Sequence, residues 1–519
     1  MKRASVLMVQ GTASTVGKST LVTGLCRIFA QDGWRVAPFK AQNMALNSYV
    51  TKSGGEIGRA QAVQAEAAGV EPTVDMNPIL LKPEGHSRSQ VIVMGRPLAT
   101  LKAVEYYRNR SSLLGIVQQA LERLRDSYDL IIIEGAGSPV ELNLTHRDLV
   151  NMQIARLTDA PVLLVGDIDR GGIFASLLGT LMLLDPADRA RVKGLIVNKF
   201  RGDKSLWLDG EQMLAERSGV PVLGTIPMFK HIRIAEEDSV ALDDGSSHTM
   251  QMGSHKIQPT LEIVVVRLPY LSNYDEFDPL AADPRVHLRF ASHASEFPDQ
   301  PDLIILPGTK STLSDLAWLW RQGLAQHIRQ SVKKGSALLG ICGGYQMLGE
   351  RIYDEVGAEA MAGTVEPGLN LFPGATAFEP MSEKITIQCQ AWIAPSNRRG
   401  LFTQLNDQRL QAYQIHMGRT TLLDGNDSES TTAFQIDTTG KDGWLSPDGW
   451  CAGCYLHGLF ENDAFLQGIV TALAERRAKH FVTPAEPVSF SRSVEYDKLA
   501  DVLRTHLDLQ QLKTLCNLA

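Results

Sequence analysis

The sequence predicts an α/β protein of two successive parts, a doubly wound parallel-sheet domain and then a second, unlike α/β domain. Three observations carry this. Short apolar runs alternate with helix-length amphipathic segments from the N-terminus onward, the rhythm of βαβ units. Several of these runs (Leu130 to Ile133, Pro161 to Val165, Leu195 to Val197, Val222 to Ile226) lack period-2 alternation, as expected of strands buried on both faces. A polar stretch at 238–259 has no apolar period and separates this pattern from a fresh one.

The first strand spans Ser5 to Gln10, and a helix over Lys18 to Gln31 follows, with Leu21, Leu25, Ile28 and Phe29 on one face. The next strand is expected over Arg35 to Pro38. The first domain is thus assigned to residues 1–237, the linker to 238–259 and the second domain to 260–470. The second domain opens on Leu261 to Leu268 and continues through Asp302 to Leu306 and Ala337 to Ile341, with β-rich sequence from Lys384 to Leu459. Residues 471–519 read as a C-terminal helical extension: one expected helix spans Ala464 to Lys479, another Glu495 to Leu512, with Leu499, Val502, Leu503 and Leu507 on one face.

Composition narrows the function classes. With 44% hydrophobic and 21% charged residues the chain is ordinary globular material, not a disordered, collagenous or coiled-coil one. Its 51 Lys and Arg against 58 Asp and Glu, with no basic block, give no electrostatic footprint for nucleic acid or an anionic membrane. The longest apolar runs are strand-sized, so no membrane span is expected. The run Ser5 to Val9 is too short for a signal peptide and reads as the first strand of a cytoplasmic protein. Six cysteines form no disulfide framework, which fits a reducing compartment.

Between the first strand and the first helix lies Gly11-Thr12-Ala13-Ser14-Thr15-Val16-Gly17-Lys18-Ser19-Thr20. Such a loop turns successive backbone N–H groups around a phosphate chain at a positive helix N-terminus; Lys18 adds a cation and the Ser19 hydroxyl suits Mg²⁺. Five residues, one more than usual, separate Gly11 from Gly17. This longer loop resembles the dethiobiotin synthetase type, in which ATP activates a carboxyl group. The resemblance implies that Lys40, at the end of the second strand, is a catalytic lysine. Glu134, at the carboxyl end of the strand Leu130 to Ile133, faces the phosphates and suits a second Mg²⁺ contact; Glu56 is a weaker candidate for the same ion. Asn198 resembles the adenine-reading Asn of that superfamily, a capping Asn being the alternative.

In the second domain, Gly340-Ile341-Cys342-Gly343-Gly344 joins a strand to a helix. Small neighbours permit a sharp turn that exposes the sulfur at a helix N-terminus, and the Gly343 N–H points at a developing oxyanion. Gly308, after another strand, is a second oxyanion candidate. The base expected for Cys342 is His457, at the end of an apolar run. Cysteine then late histidine resembles the class I, triad-type glutamine amidotransferases. Their usual acid stands two residues after the histidine, where this sequence has Leu459, so the third member is open between Glu461 and a simple dyad. Cys451 and Cys454 lack a second pair and are read as strand residues rather than a zinc site.

Longer segments narrow the resemblance. Pro38 to Ser48, Met76 to Pro83, Gly166 to Phe174, Ile415 to Thr420 and Tyr455 to Phe460 are similar to those of the cobyric acid synthase family across nearly the whole chain. The resemblance implies ATP- and glutamine-dependent amidation of the b, d, e and g carboxylates of a corrinoid, adenosylcobyrinic acid a,c-diamide, through acyl phosphates. The related a,c-diamide synthase family is the nearer alternative. A partitioning-type ATPase switch with a glutamine-sensing appendage is the remoter one, disfavoured because Ala13 stands where those ATPases carry a lysine.

Overall fold

The computed structural model describes residues 3–84, 88–108, 110–143, 148–229, 231–235, 260–423, 431–438, 440–478 and 490–518. The 238–259 linker lies outside them. The N-terminal half is organised on a six-stranded sheet in the order Val222–Pro227, Val192–Phe200, Val162–Asp167, Ser5–Gly11, Leu130–Glu134, Val36–Phe39. Every pairing in it is parallel. The runs without alternation are its buried strands: Leu7, Ile132, Leu163 and Ile196 face one layer of core, Met8, Ile133, Leu164 and Val197 the other. The helix Lys18–Gln31 forms as its sequence predicts, and buries Leu21, Leu25 and Ile28.

The second half holds a six-stranded sheet ordered Val286–Ala291, Leu261–Val266, Leu303–Leu306, Ala337–Ile341, Cys451–Cys454, Trp444–Leu445, parallel except at the last pairing. Cys451 and Cys454 are strand residues here, and no cluster of metal-ligating side chains occurs among the described residues. The β-rich region becomes a five-stranded antiparallel sheet in which Ile385–Trp392 pairs with Leu410–His416. Among the described residues no helix is long and apolar enough to cross a membrane.

The C-terminal segment differs from expectation in two ways. The single helix expected over Glu495 to Leu512 is two, Arg492–His506 and Leu509–Leu515. Leu507 is extended and bridges to Gly224, and the Asp508 side chain accepts from Gln511 N at 2.9 Å, capping a new helix rather than continuing the old one. Nor does the part from Arg492 onward extend the second half. It packs on the first, where Leu499, Leu503, Leu507 and Leu512 share a core with Leu21, Leu25 and Ile28. Arg27–Asp497 (2.7 Å) and Arg504–Asp32 (2.7 Å) flank that seam.

The two halves meet through buried polar contacts. Glu56 is held by Lys82 (2.8 Å) from its own half and Lys384 (2.6 Å) from the other. Lys310 pairs with Glu84 at 2.6 Å and Arg59 with Asp275 at 2.7 Å. Asn273 Oδ1 accepts from Ser48 N (2.8 Å), while Asn273 N donates to Asn47 Oδ1 (2.7 Å).

Candidate active site

Two clusters of chemistry-bearing side chains stand at the carboxyl ends of the two parallel sheets, where successive strand-to-helix connections converge. In the first, the loop Gly11–Gly17 wraps the start of the helix Lys18–Gln31. Gly17 has φ +94°, and a Cβ there would lie 2.3 Å from Asn198 Nδ2, so only glycine fits this closure. Thr12 N donates to Val165 O (2.9 Å), and Lys18 Nζ folds back to donate to Ala13 O (2.8 Å) and Ser14 O (3.1 Å). Thr15 and Val16 are gripped from outside the loop: Lys199 Nζ donates to Thr15 O (2.7 Å) and Asn198 Nδ2 to Val16 O (2.8 Å). The Asn198 amide thus braces the loop backbone, nearer the capping alternative than a base-reading group.

Glu134 is fully buried at the end of its strand. Its Oε1 accepts from Ser19 Oγ (2.8 Å) and Lys40 Nζ (2.9 Å), and its Oε2 from Gln64 Nε2 (2.5 Å). Burial, the largest single influence, would raise its proton affinity. The charge and hydrogen bond of Lys40, the Gln64 bond and the charge of Lys18 together outweigh it, holding the carboxyl below the usual range and ionised. Ser19, Lys18, Lys40 and Glu134 therefore converge as the sequence predicts. Glu56 does not join them. Both its oxygens are committed to Lys82 and Lys384, which hold it far below its ordinary value against the opposing effect of burial, and the expected metal role is corrected to an ionic tie between the halves.

In the second cluster, Cys342 sits at φ 51°, ψ −110° between the strand Ala337–Ile341 and the helix Gly343–Leu348. Such a backbone costs on the order of 1–3 kcal/mol and persists where the surroundings over-determine it. Cys342 Sγ lies 3.5 Å from Ile415 O. His457, 1% exposed, hydrogen-bonds the Cys342 side chain, and its Nδ1 lies 3.0 Å from Glu276 Oε1. Glu276 Oε2 accepts from Gly458 N at 3.0 Å. Burial pulls the His457 proton affinity down; the Glu276 carboxylate, then Cys342, more than reverse this and raise it to about 10. Gly308 backs onto the same ring: a Cβ there would lie 2.7 Å from His457 Cε1. Gly343 abuts Thr309, so the two oxyanion candidates lie on adjoining backbone.

The third member is Glu276, which sequence reasoning did not single out. It lies in the short 3₁₀ turn Tyr274–Phe277 after the strand Leu261–Val266, 181 residues before His457. Glu461 is ruled out as the orienter because its carboxylate pairs with Arg492 (2.9 Å) and Arg59 (3.2 Å). The sequence signal was an acidic pair, Asp275-Glu276, just past the first strand of the second domain; only strand order shows that this edge adjoins the Cys342 strand's neighbour. Gln64 was also missed, on a helix with no motif.

A Cys-His-Glu site and a P-loop with an ionised carboxylate and two lysines, in one chain, define a glutamine-dependent amide synthetase. Residues 7–241 match the family model described as the CobQ/CobB/MinD/ParA nucleotide binding domain, and residues 262–465 that of the CobB/CobQ-like glutamine amidotransferase domain. The chain is 49% identical to a cobyric acid synthase of Dehalococcoides mccartyi, over 99% of this chain and 98% of that one. It is 48% identical to one of Sorangium cellulosum (99% of each) and 43% to one of Desulfitobacterium hafniense (100% and 99%). The chain belongs to the cobyric acid synthase family. Solved structures are remoter: a glutamine amidotransferase of Thermotoga maritima is 16% identical with a TM-score of 0.27, over 51% of this chain and 99% of that one.

Proposed function

We propose that the chain amidates the b, d, e and g carboxylates of adenosylcobyrinic acid a,c-diamide, using ATP to activate each carboxylate and glutamine as nitrogen donor. The observation that carries this reading is the pairing of Cys342–His457–Glu276 with Ser19–Lys40–Glu134 in a chain of this family. The donor set suits nucleotide and Mg²⁺: a glycine-closed loop ahead of Lys18, a serine hydroxyl and one ionised carboxylate, hard oxygens of the kind Mg²⁺ takes alongside phosphate. Gly11, Thr12, Thr15, Val16, Gly17 and Thr20 form the cradle, and Ser19 and Glu134 would hold the ion, which would supply charge neutralisation at the phosphates.

At the glutaminase site, the Cys342 sulfur attacks the carboxamide carbon while the Gly343 and Gly308 N–H groups receive the oxyanion. The proton held on His457 goes to the departing ammonia, leaving a thioester that water hydrolyses to glutamate. At the other site, a substrate carboxylate attacks the γ-phosphorus in line, the bond to the bridging oxygen breaks and ADP leaves, with Lys18 and Lys40 neutralising the transferring group, which gives an acyl phosphate. Ammonia then adds to the acyl carbon and expels phosphate. A carboxylate needs this activation because attack on it would otherwise have to expel oxide.

Mass spectrometry of the corrinoid after incubation with ATP, Mg²⁺ and glutamine tests the reading. Stepwise replacement of OH by NH₂ at four positions is expected, with partly amidated species in solution. ATP hydrolysis without any corrinoid amidation would overturn it. With heavy-oxygen-labelled carboxylates, one label per amide should appear in inorganic phosphate; unlabelled phosphate would remove the acyl phosphate.

A further inference from the structure

The acid of the triad is presented by a turn that the opposite half of the molecule holds. Glu276 lies in Tyr274–Phe277, and residues just before it, Asn273 and Asp275, are tied across the interface. Asn273, with φ 56°, exchanges hydrogen bonds with Asn47 and Ser48. Asp275, the immediate neighbour of Glu276, is 3% exposed and pairs with Arg59 Nε at 2.7 Å. Arg59 is itself only 3% exposed, also reaches Glu461 at 3.2 Å, and sits over the Tyr49 ring at 5.7 Å. From the C-terminal segment, Arg492 joins the same carboxylates, at 3.3 Å from Asp275 and 2.9 Å from Glu461.

Arg59 is also the first residue of the helix Arg59–Ala67, whose Gln64 donates to Glu134 at the phosphate site. Five residues of helix rise, about 7.5 Å along the axis, separate the two attachment points. One buried helix is thus fastened at one end beside the triad acid and farther along to the carboxylate of the phosphate loop.

We propose that Arg59 is a positioning residue of the glutaminase: through Asp275 it sets the turn that aims Glu276 at His457, and its helix ties that geometry to the phosphate site. The glutaminase half supplies all three triad residues, but the other half holds the acid in place. A carboxylate displaced by about 1 Å leaves His457 misoriented toward Cys342, and misplacement of that size costs up to about a hundredfold in rate. This inference rests on the glutaminase reading above.

The test uses the full-length chain. Glutamate release from glutamine by the wild type, and its loss in Cys342→Ser, check the underlying reading separately. In Arg59→Met, kcat for glutamate release should fall about 10- to 100-fold with little change in the KM for glutamine. The ammonia-driven reaction should be largely kept. Arg59→Lys should recover part of the loss, because an ammonium can still pair with Asp275 but cannot span Asp275 and Glu461 as the guanidinium fork does. Should Arg59→Met fail to fold, Asp275→Asn removes the same tie while leaving both arginines paired to Glu461, and the same split is expected. Wild-type kcat with glutamine in folded Arg59→Met or Asp275→Asn would overturn the proposal. So would an equal loss with glutamine and with ammonia, which marks a general structural role.

Discussion

Replacing Glu276 by Gln is the sharpest test of the triad. The carboxylate makes two acceptor contacts, from His457 Nδ1 (3.0 Å) and from Gly458 N (3.0 Å), in a site where it is 2% exposed. An amide has one acceptor oxygen and one donor nitrogen. The fixed backbone N–H of Gly458 claims the oxygen, so the NH₂ faces Nδ1, which must then accept. The ring proton moves to Nε2, the wrong tautomer for drawing a proton from Cys342. The charge is lost as well: Glu276 is the chief reason His457 is raised to about 10, and moving it from an ordinary ~6.5 represents on the order of several kcal/mol of favourable interaction. The corresponding Asp→Asn change in a serine-protease triad costs ~10⁴ in kcat, so Glu276→Gln should lose about 10²- to 10⁴-fold in glutamate release while ammonia-driven amidation persists. A kcat within about threefold of wild type would refute the assignment. The sign of the stability effect is also fixed. His457 has a raised folded-state affinity, so its contribution is fully present below about pH 6.5 and is lost as pH rises through about 10. Denaturant unfolding should show the wild type losing stability over that window and Glu276→Gln losing less.

Lys18→Ala and Glu134→Gln should each lose about 10²- to 10³-fold in amidation with glutamine or ammonia alike, since both serve the phosphate site; wild-type rates with ammonia would sink this. Glu56→Gln leaves Lys82 and Lys384 facing each other in a buried site and should destabilise by about 3–5 kcal/mol in denaturant titration. Its Mg²⁺ dependence of ATP hydrolysis should match wild type; an altered one would restore Glu56 as a metal ligand. Leu503→Ala removes a fully packed side chain between the C-terminal segment and the helix after the phosphate loop, and should cost about 2–5 kcal/mol of stability. An unchanged melting temperature would mean that the segment does not support that helix.

Much of this molecule was legible in one dimension because its decisive features are local. The loop Gly11–Gly17, Lys18 and Ser19 lie within a few residues of one another, and so do Cys342 and Gly343; a phosphate cradle or a nucleophile elbow is made by consecutive residues in a fixed backbone path. The doubly wound sheet followed from runs of apolar residues whose burial on both faces is a property of each strand. What spacing could not give were partnerships across the fold. Glu276 reaches His457 because the strands Leu261–Val266 and Cys451–Cys454 belong to one sheet and end on the same edge. Glu56 is the weaker metal candidate in the sequence, where nothing shows its counter-charges; Lys384, 328 residues away, is one of them. The C-terminal helix is read from the sequence as part of a helical extension whose apolar stripe names no partner; the tertiary structure lays that stripe on the helix Lys18–Gln31. Periodicity and motif chemistry depend on neighbours along the chain, whereas the energy of a buried charge depends on whichever counter-charge the fold brings to it, and that only the tertiary structure decides.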